Sequence, residues 1–217
     1  MKNWEKLNMT MKQINLSTIT FPKAPSSKEL TEPISCGAET VLSLEDQQKA
    51  IAFLKTKTHS MEVTTSLASS IESITNIPPR TRSRTLEHSK GHSVFTHVEI
   101  KAHDSEELNR VEQVVASSLV PLPIEEIKQR VATLTTLMTI PPNTNPDDLI
   151  VRINAISNEL ASYPADIVIQ VIEILKNKRS WFPAWADFYD ELHWRTDNRK
   201  RFMDAVHTER ARQRQLG

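Results

Sequence analysis

YPADIVIQVIEILKNKRSWFPAWADFYDELHWRTDNRKRF, residues 163–202, is the stretch whose reading decides the fold. Pro164 suits a helix start, because the first turn needs no N–H donor there. Asp166 follows in that turn, where a carboxylate complements the positive end of the helix dipole. Ile167, Val168, Ile169, Val171, Ile172, Ile174 and Leu175 then point in nearly every direction around a helix axis. That pattern predicts a helix buried on all sides at the centre of a bundle. Its β-branched content also suits a strand, but the proline start and a length of about 12 residues favour a helix. Three of the four tryptophans, Trp181, Trp185 and Trp194, come next. The Phe182-Pro183 turn predicts a helix over about 183–193, and another is predicted over about 196–213, carrying a basic tail.

Upstream, the signals are helical as far back as Asp104. Ile124, Ile127, Val131, Leu134 and Met138 step by three and four residues after Pro123, and Pro141-Pro142 ends that seam. Asn145 caps the next helix, with Pro146 at its first position and Asp147 and Asp148 in its first turn. Its seam is Leu149, Ile153, Ile156, Leu160 and Tyr163. An earlier helix beginning near Asp104 carries Leu108, Val111, Val114 and Val115 and stops before Pro121. The expected fold is therefore all-α, a small bundle of about five helices over residues 104–214.

Residues 78–103 read as a basic linker or extended arm. Arg80, Arg82 and Arg84 alternate there, and Val94, Thr96, Val98 and Ile100 alternate with Phe95, His97, Glu99 and Lys101 as in a strand without an evident partner. Residues 43–77 hold short helices. Ser43 and Asp46 make a capping-box-like start to the first, and Val63, Leu67, Ile71 and Ile74 mark a second over 61–75, ended by Pro78-Pro79. Residues 1–42 show no sustained period and are expected to be disordered.

Composition excludes several function classes. The three glycines, Gly37, Gly91 and Gly217, are isolated. Phosphate-cradling loops need closely spaced glycines so that backbone amides can approach the ligand. Neither a P-loop nor a dinucleotide fingerprint is present, and no nucleotide or other cofactor is expected. Lysine plus arginine equal aspartate plus glutamate at 27 each, so any electrostatic partner must read a local patch. One cysteine, Cys36, fits a reducing, cytoplasmic setting. No basic-then-apolar leader and no apolar run of about 18 residues is seen, so neither secretion nor a membrane partner is expected.

No catalytic residue is assigned. The serines lack a Gly-x-Ser-x-Gly elbow, and the acid pairs Glu125-Glu126 and Asp147-Asp148 are explained by helix dipoles. His88 and His92 are four apart, but a structural zinc site would need further ligands, including matched cysteines, so no metal is expected. Two surfaces stand out instead. Trp181, Phe182, Trp185, Tyr189 and Trp194 form a candidate protein-binding cluster, since Trp and Tyr dominate interface energetics; the same rings equally suit a hydrophobic core. Arg195, Arg199, Lys200, Arg201, Arg210, Arg212 and Arg214 form a candidate nucleic-acid-binding surface of phosphate-contacting cations, or else a solvated helix face with internal ion pairs.

The string YPADIVIQVIEILKNKRSWFPAWADF resembles a YPADV…WPAWAEL-like string of uncharacterised helical proteins of phages and prophages. More distantly, the chain from Ile124 onward is similar to the phage helicase loader/inhibitor family, whose FPPTIAEI-like turn and helix are matched by Trp181 to Phe188. That family works without a nucleotide site of its own. The resemblance implies a non-enzymatic phage or prophage accessory protein of DNA replication that binds a replicative helicase or related replication protein. The basic tail alone suggests a DNA-binding regulator as an alternative, and the helical body with its unstructured leader a virion assembly or scaffold protein.

Overall fold

Helix starts fall where local capping chemistry places them. The structure, a computed structural model, describes residues 42–57, 60–85 and 93–216. Helix α1 (Leu44–Thr56) opens on Ser43, whose hydroxyl oxygen accepts from the Asp46 amide at 3.1 Å while its O–H donates to the Asp46 carboxylate. Helix α2 (Ser60–Thr75) ends at Asn76, whose φ of 53° turns the chain out of the helix in the left-handed conformation that asparagine tolerates. Asp104 caps α3 (Ser105–Ser117) by accepting from the Glu107 amide at 2.8 Å. Helix α4 (Ile124–Leu137) follows Pro123, and Asn145 caps α5 (Pro146–Leu160) through the Asp147 amide at 3.1 Å.

Helix α6 (Ala165–Lys178) is the buried centre, with Ala165 to Ile169, Val171, Ile172 and Leu175 all withdrawn from solvent. Its start has no side-chain cap; instead the Ala165 amide donates to the Val120 carbonyl at 3.0 Å, which ties it to the α3–α4 connection. Around α6, residues of α1, the start of α2, α4, α5 and the first part of α7 (Trp185–Leu216) form one hydrophobic cluster. A second cluster joins the end of α2, α3 and the later part of α7 around Phe202, Ala205 and Val206. Helices α1 and α2 thus contribute Ala50, Leu54, Val63, Leu67 and Ile71 to the same body as the later helices, and no core boundary falls at residue 104.

Two further expectations are corrected. The predicted break between helices near residue 194 does not occur: α7 runs unbroken for 32 residues. No proline or glycine interrupts residues 184–216, and Arg195 ties its own turn by donating to the Glu191 carbonyl and, at 2.8 Å, to the Glu191 carboxylate. The described residues therefore hold seven helices, five of them over residues 105–216 and two upstream in 44–75, together with a two-stranded sheet that an all-α reading leaves out. The segment 78–103 is also no linker or free arm. β1 (Arg80–Thr85) pairs antiparallel with β2 (Ser93–Glu99) in a hairpin.

The hairpin docks on α7 through Asn198, whose Oδ1 accepts from the Phe95 amide at 2.8 Å and whose amide nitrogen donates to the Ser93 carbonyl at 3.1 Å. A register shift opposite Arg82 and Ser83 leaves Thr96 as the extra residue of β2. That bulge breaks simple alternation, so Phe95 and Val98, three apart, both pack into the second cluster. Phe95 meets Phe202 edge-on at 5.9 Å. Strict alternation would have put one of them in water.

Polar ties fasten the periphery. Glu126 on α4 pairs with Lys55 on α1 at 2.7 Å and with Arg130 at 2.9 Å; Glu191 on α7 pairs with Lys178 at the end of α6 at 2.9 Å. Glu209 is buried, held by Arg212 at 2.6 Å and accepting weakly from the Ala102 amide at 3.4 Å. The Arg212 hydrogen bonds hold the Glu209 carboxyl below its ordinary range against the opposing effect of burial. Burial pushes Glu126 and Glu191 up, but their cationic partners outweigh it, and both lie below the usual carboxylate range. A carboxylate depressed in the folded state stabilises above its unfolded pKa, about 4.3, and that stabilisation is lost as pH falls through the lower folded value. Urea midpoints should therefore drop between about pH 5 and pH 3. Glu209→Gln should lower the midpoint at neutral pH while shrinking the acid-induced drop; an unchanged drop would count against this tie.

Candidate functional site

The turn that enters α7 is held from three directions. The Thr139 amide donates to the Ser180 carbonyl at 2.8 Å, and the Phe182 amide donates to the Thr139 carbonyl at 3.0 Å, so residues 180–182 lie beside the end of α4 as a short bridge. Arg152 of α5 places its guanidinium 5.0 Å over the Phe182 ring and donates to the Pro183 carbonyl at 3.0 Å. Asp187 reaches back to accept from the Ala184 amide at 2.9 Å and pairs with Arg179 at 2.6 Å. These ties fix the direction in which Trp181 leaves the backbone. Its indole is 54% exposed.

From this turn an aromatic ladder climbs α7. Trp185, Tyr189 and His193 are spaced i, i+4 and i+8, which puts them on one helix face. Trp185 is half-buried, stacking on the core ring of Phe188 at 6.4 Å with Tyr163 tilted against it. Tyr189 is 47% exposed and lies parallel to the His193 ring, 5.2 Å between centroids with 6° between planes. The Tyr163 phenol is pushed above its ordinary pKa, first by burial and then by Tyr189, Glu159 and Asp197. Neither Glu159 nor Asp197 forms an ion pair among the described residues. The face is aromatic with an acidic border, suited to apolar and cationic side chains.

The expected protein-binding cluster therefore divides. Trp181 and Tyr189 are exposed, Trp185 is shared between core and surface, and Phe182 and Trp194 are buried. Phe182 is enclosed by the α4–α5 side of the turn, and Trp194 is covered on one face by the Arg195 guanidinium, 4.2 Å from its centroid. His193 and Tyr163 join the face without having been singled out from the sequence. The signal for His193 is its i+4 spacing from Tyr189 within the helix expected over about 183–193, whereas Tyr163 comes from the α5–α6 connection and has no such local signal.

The expected nucleic-acid surface on the tail is corrected more severely. Arg199 is fully buried and binds Asp166 with both guanidinium Nη atoms, Nη1 to Oδ1 at 2.7 Å. Arg195 is buried against Trp194 and Glu191. Arg210 pairs with buried Glu112 at 2.5 Å and donates to Asn109 at 2.7 Å, Arg212 is committed to Glu209, and Arg201 lies 3.8 Å from Asp204. Only Lys200 and Arg214 of the seven are exposed without an ion pair among the described residues. Acids on α3, α6 and α7 itself neutralise the rest, a compensation that charge counting along the tail does not show. His88, His92 and Cys36 lie outside the described residues.

No helix among the described residues is long and apolar enough to cross a membrane. No protein-family model matches the sequence, no curated protein matches it, and no solved structure matches the fold.

Proposed function

We propose that this chain is a non-enzymatic phage or prophage accessory protein of DNA replication that docks a protein partner on the Trp181–Trp185–Tyr189–His193 face. The observation that carries the docking surface is the exposure of Trp181 and Tyr189 on a turn and helix fastened by Arg152, Thr139 and Asp187. Rigid aromatic side chains lose little entropy on binding and make strong anchors. The uncompensated acids beside them favour a partner that offers Arg or Lys next to an apolar side chain. The resemblance to helicase loaders and inhibitors supplies the partner to test first, a replicative helicase or related replication protein. A DNA regulator acting through the C-terminal helix is less well supported, because most of that helix's cations are already paired.

Affinity capture from host lysate, with the intact chain as bait and the doubly substituted Trp181→Ala/Tyr189→Ala chain as control, tests the reading. Enrichment of a replication protein by the first and not by the second is expected. Capture that never enriches one overturns the replication assignment, and equal capture by both baits overturns the docking face.

A further inference from the structure

The hairpin presents a second, chemically different surface. Over residues 80–101 five Lys or Arg stand against two Glu, in a chain whose formal net charge is zero. Every residue of β1, Arg-Thr-Arg-Ser-Arg-Thr, is exposed. Alternation puts Arg80, Arg82 and Arg84 on one face of the strand, and none of them forms an ion pair among the described residues. Cross-strand pairing sets Arg82 opposite exposed His97 and Arg80 opposite Glu99. The opposite face carries Thr81, Ser83, Val98 and Phe95, of which Val98 and Phe95 pack toward α7. The bulge at Thr96 is what allows this: it turns both apolar residues inward and leaves the arginine row unbroken on the solvent side.

We infer that this arginine face of the β1–β2 hairpin binds the phosphate backbone of duplex DNA. Alternate residues on a strand are about 6.7 Å apart, so the three guanidinium stems are spread over about 13 Å. Phosphates recur every ~3.4 Å of axial rise along each strand and, because the backbone winds, lie about twice that far apart along it, so a strand tracking the backbone sets about one arginine at each phosphate. A two-stranded ribbon fits the B-form major groove, about 12 Å wide, whereas the narrow major groove of A-form RNA does not admit it. Single-stranded nucleic acid is disfavoured, because stacking successive bases needs a row of exposed rings, and among the described hairpin residues Phe95 is turned inward against Phe202, which leaves the single imidazole of His97. An anionic lipid surface lacks the apolar insertion that would reinforce it here, since no large apolar side chain on the arginine face is exposed.

The test measures binding of the full chain to a duplex oligonucleotide of about 20 base pairs as a function of monovalent salt, beside the single strand and anionic vesicles. Three phosphate contacts give a log–log slope of about −2.7, a loss of affinity of about 40-fold between 50 and 200 mM salt. Arg80→Ala/Arg82→Ala/Arg84→Ala should flatten the slope by about 2.7, and Lys200→Ala/Arg214→Ala should leave it unchanged. Circular dichroism of both variants should match the parent, because all the altered side chains are exposed. No duplex binding at low salt, preferential binding of vesicles or single strands, or a triple variant whose slope changes by less than about 1 would each overturn the assignment. The arginines would then serve only to keep the edge strand β1 from pairing with other chains.

Discussion

Arg199→Met is expected to lower the unfolding free energy by about 3–5 kcal/mol, as much as deleting a large core ring. The guanidinium sits where three elements meet. Its Nη1 donates to Oδ1 of Asp166 at 2.7 Å and to the Ser118 carbonyl at 2.8 Å, and its Nη2 to the second carboxylate oxygen. Ser118 ends α3, whose carbonyls carry the negative end of that dipole, while Asp166 lies in the first turn of α6 at the positive end. One cation therefore satisfies a helix end and a carboxylate together. Neither charged side chain has any solvent exposure, so removing the arginine leaves Asp166 as a buried charge with no counterion. Asp166→Asn should be costly for the mirror reason. A chain of this size should show melting lowered by roughly 6–20 °C.

The double exchange Asp166→Leu/Arg199→Met separates the two possible meanings of such a loss. Replacing a buried pair with apolar groups of similar volume is often neutral or better, because desolvating two ions offsets much of their attraction. Most of the single-variant loss should therefore return in the double variant, read by urea or thermal unfolding. A single Arg199→Met within about 1 kcal/mol of the parent would show that the pair is not what fastens α3 and α6 to α7.

The second large effect concerns binding. Trp181→Ala and Tyr189→Ala are each expected to weaken partner binding by about 2 kcal/mol or more, roughly 30-fold in Kd. Both should alter stability by no more than about 0.5 kcal/mol, since both residues are about half in water. Phe182→Ala and Trp194→Ala are buried comparators and should cost about 3–5 kcal/mol of stability, with any loss of binding following from unfolding. Calorimetry with the captured partner and parallel melts distinguish the two classes. Equal destabilisation by all four would remove the division between core rings and docking rings.

Much of the helical architecture is legible locally. Ser43, Asp104 and Asn145 accept from amides two or three residues ahead, and Pro123, Pro146 and Pro164 mark helix starts locally, although the start at Pro164 is completed by the distant Val120 carbonyl. The nearly all-round apolar surface of α6 likewise declares its burial, because over Ile167–Leu175 only Gln170 and Glu173 could face water at low cost. The basic segment carries no such local signal. Arg80–Thr85 carries no apolar residue, so it has no strand periodicity of its own, and it becomes a strand only because β2 supplies the hydrogen-bonding partner.

The opening stretch, 163–202, shows where that division falls. Its sequence alone determined a proline-started buried helix, a Phe-Pro turn and an aromatic-rich helix, since each depends on neighbours within a turn or two. Only the tertiary structure decided that Trp181 and Tyr189 stay outside while Phe182 and Trp194 go in, and that Arg199 leaves the basic tail for the core. The reason is that a charge or ring is buried or exposed according to what lies across from it. Asp166 is 33 residues away from Arg199 and Ser118 is 81 away, and no local pattern encodes those meetings.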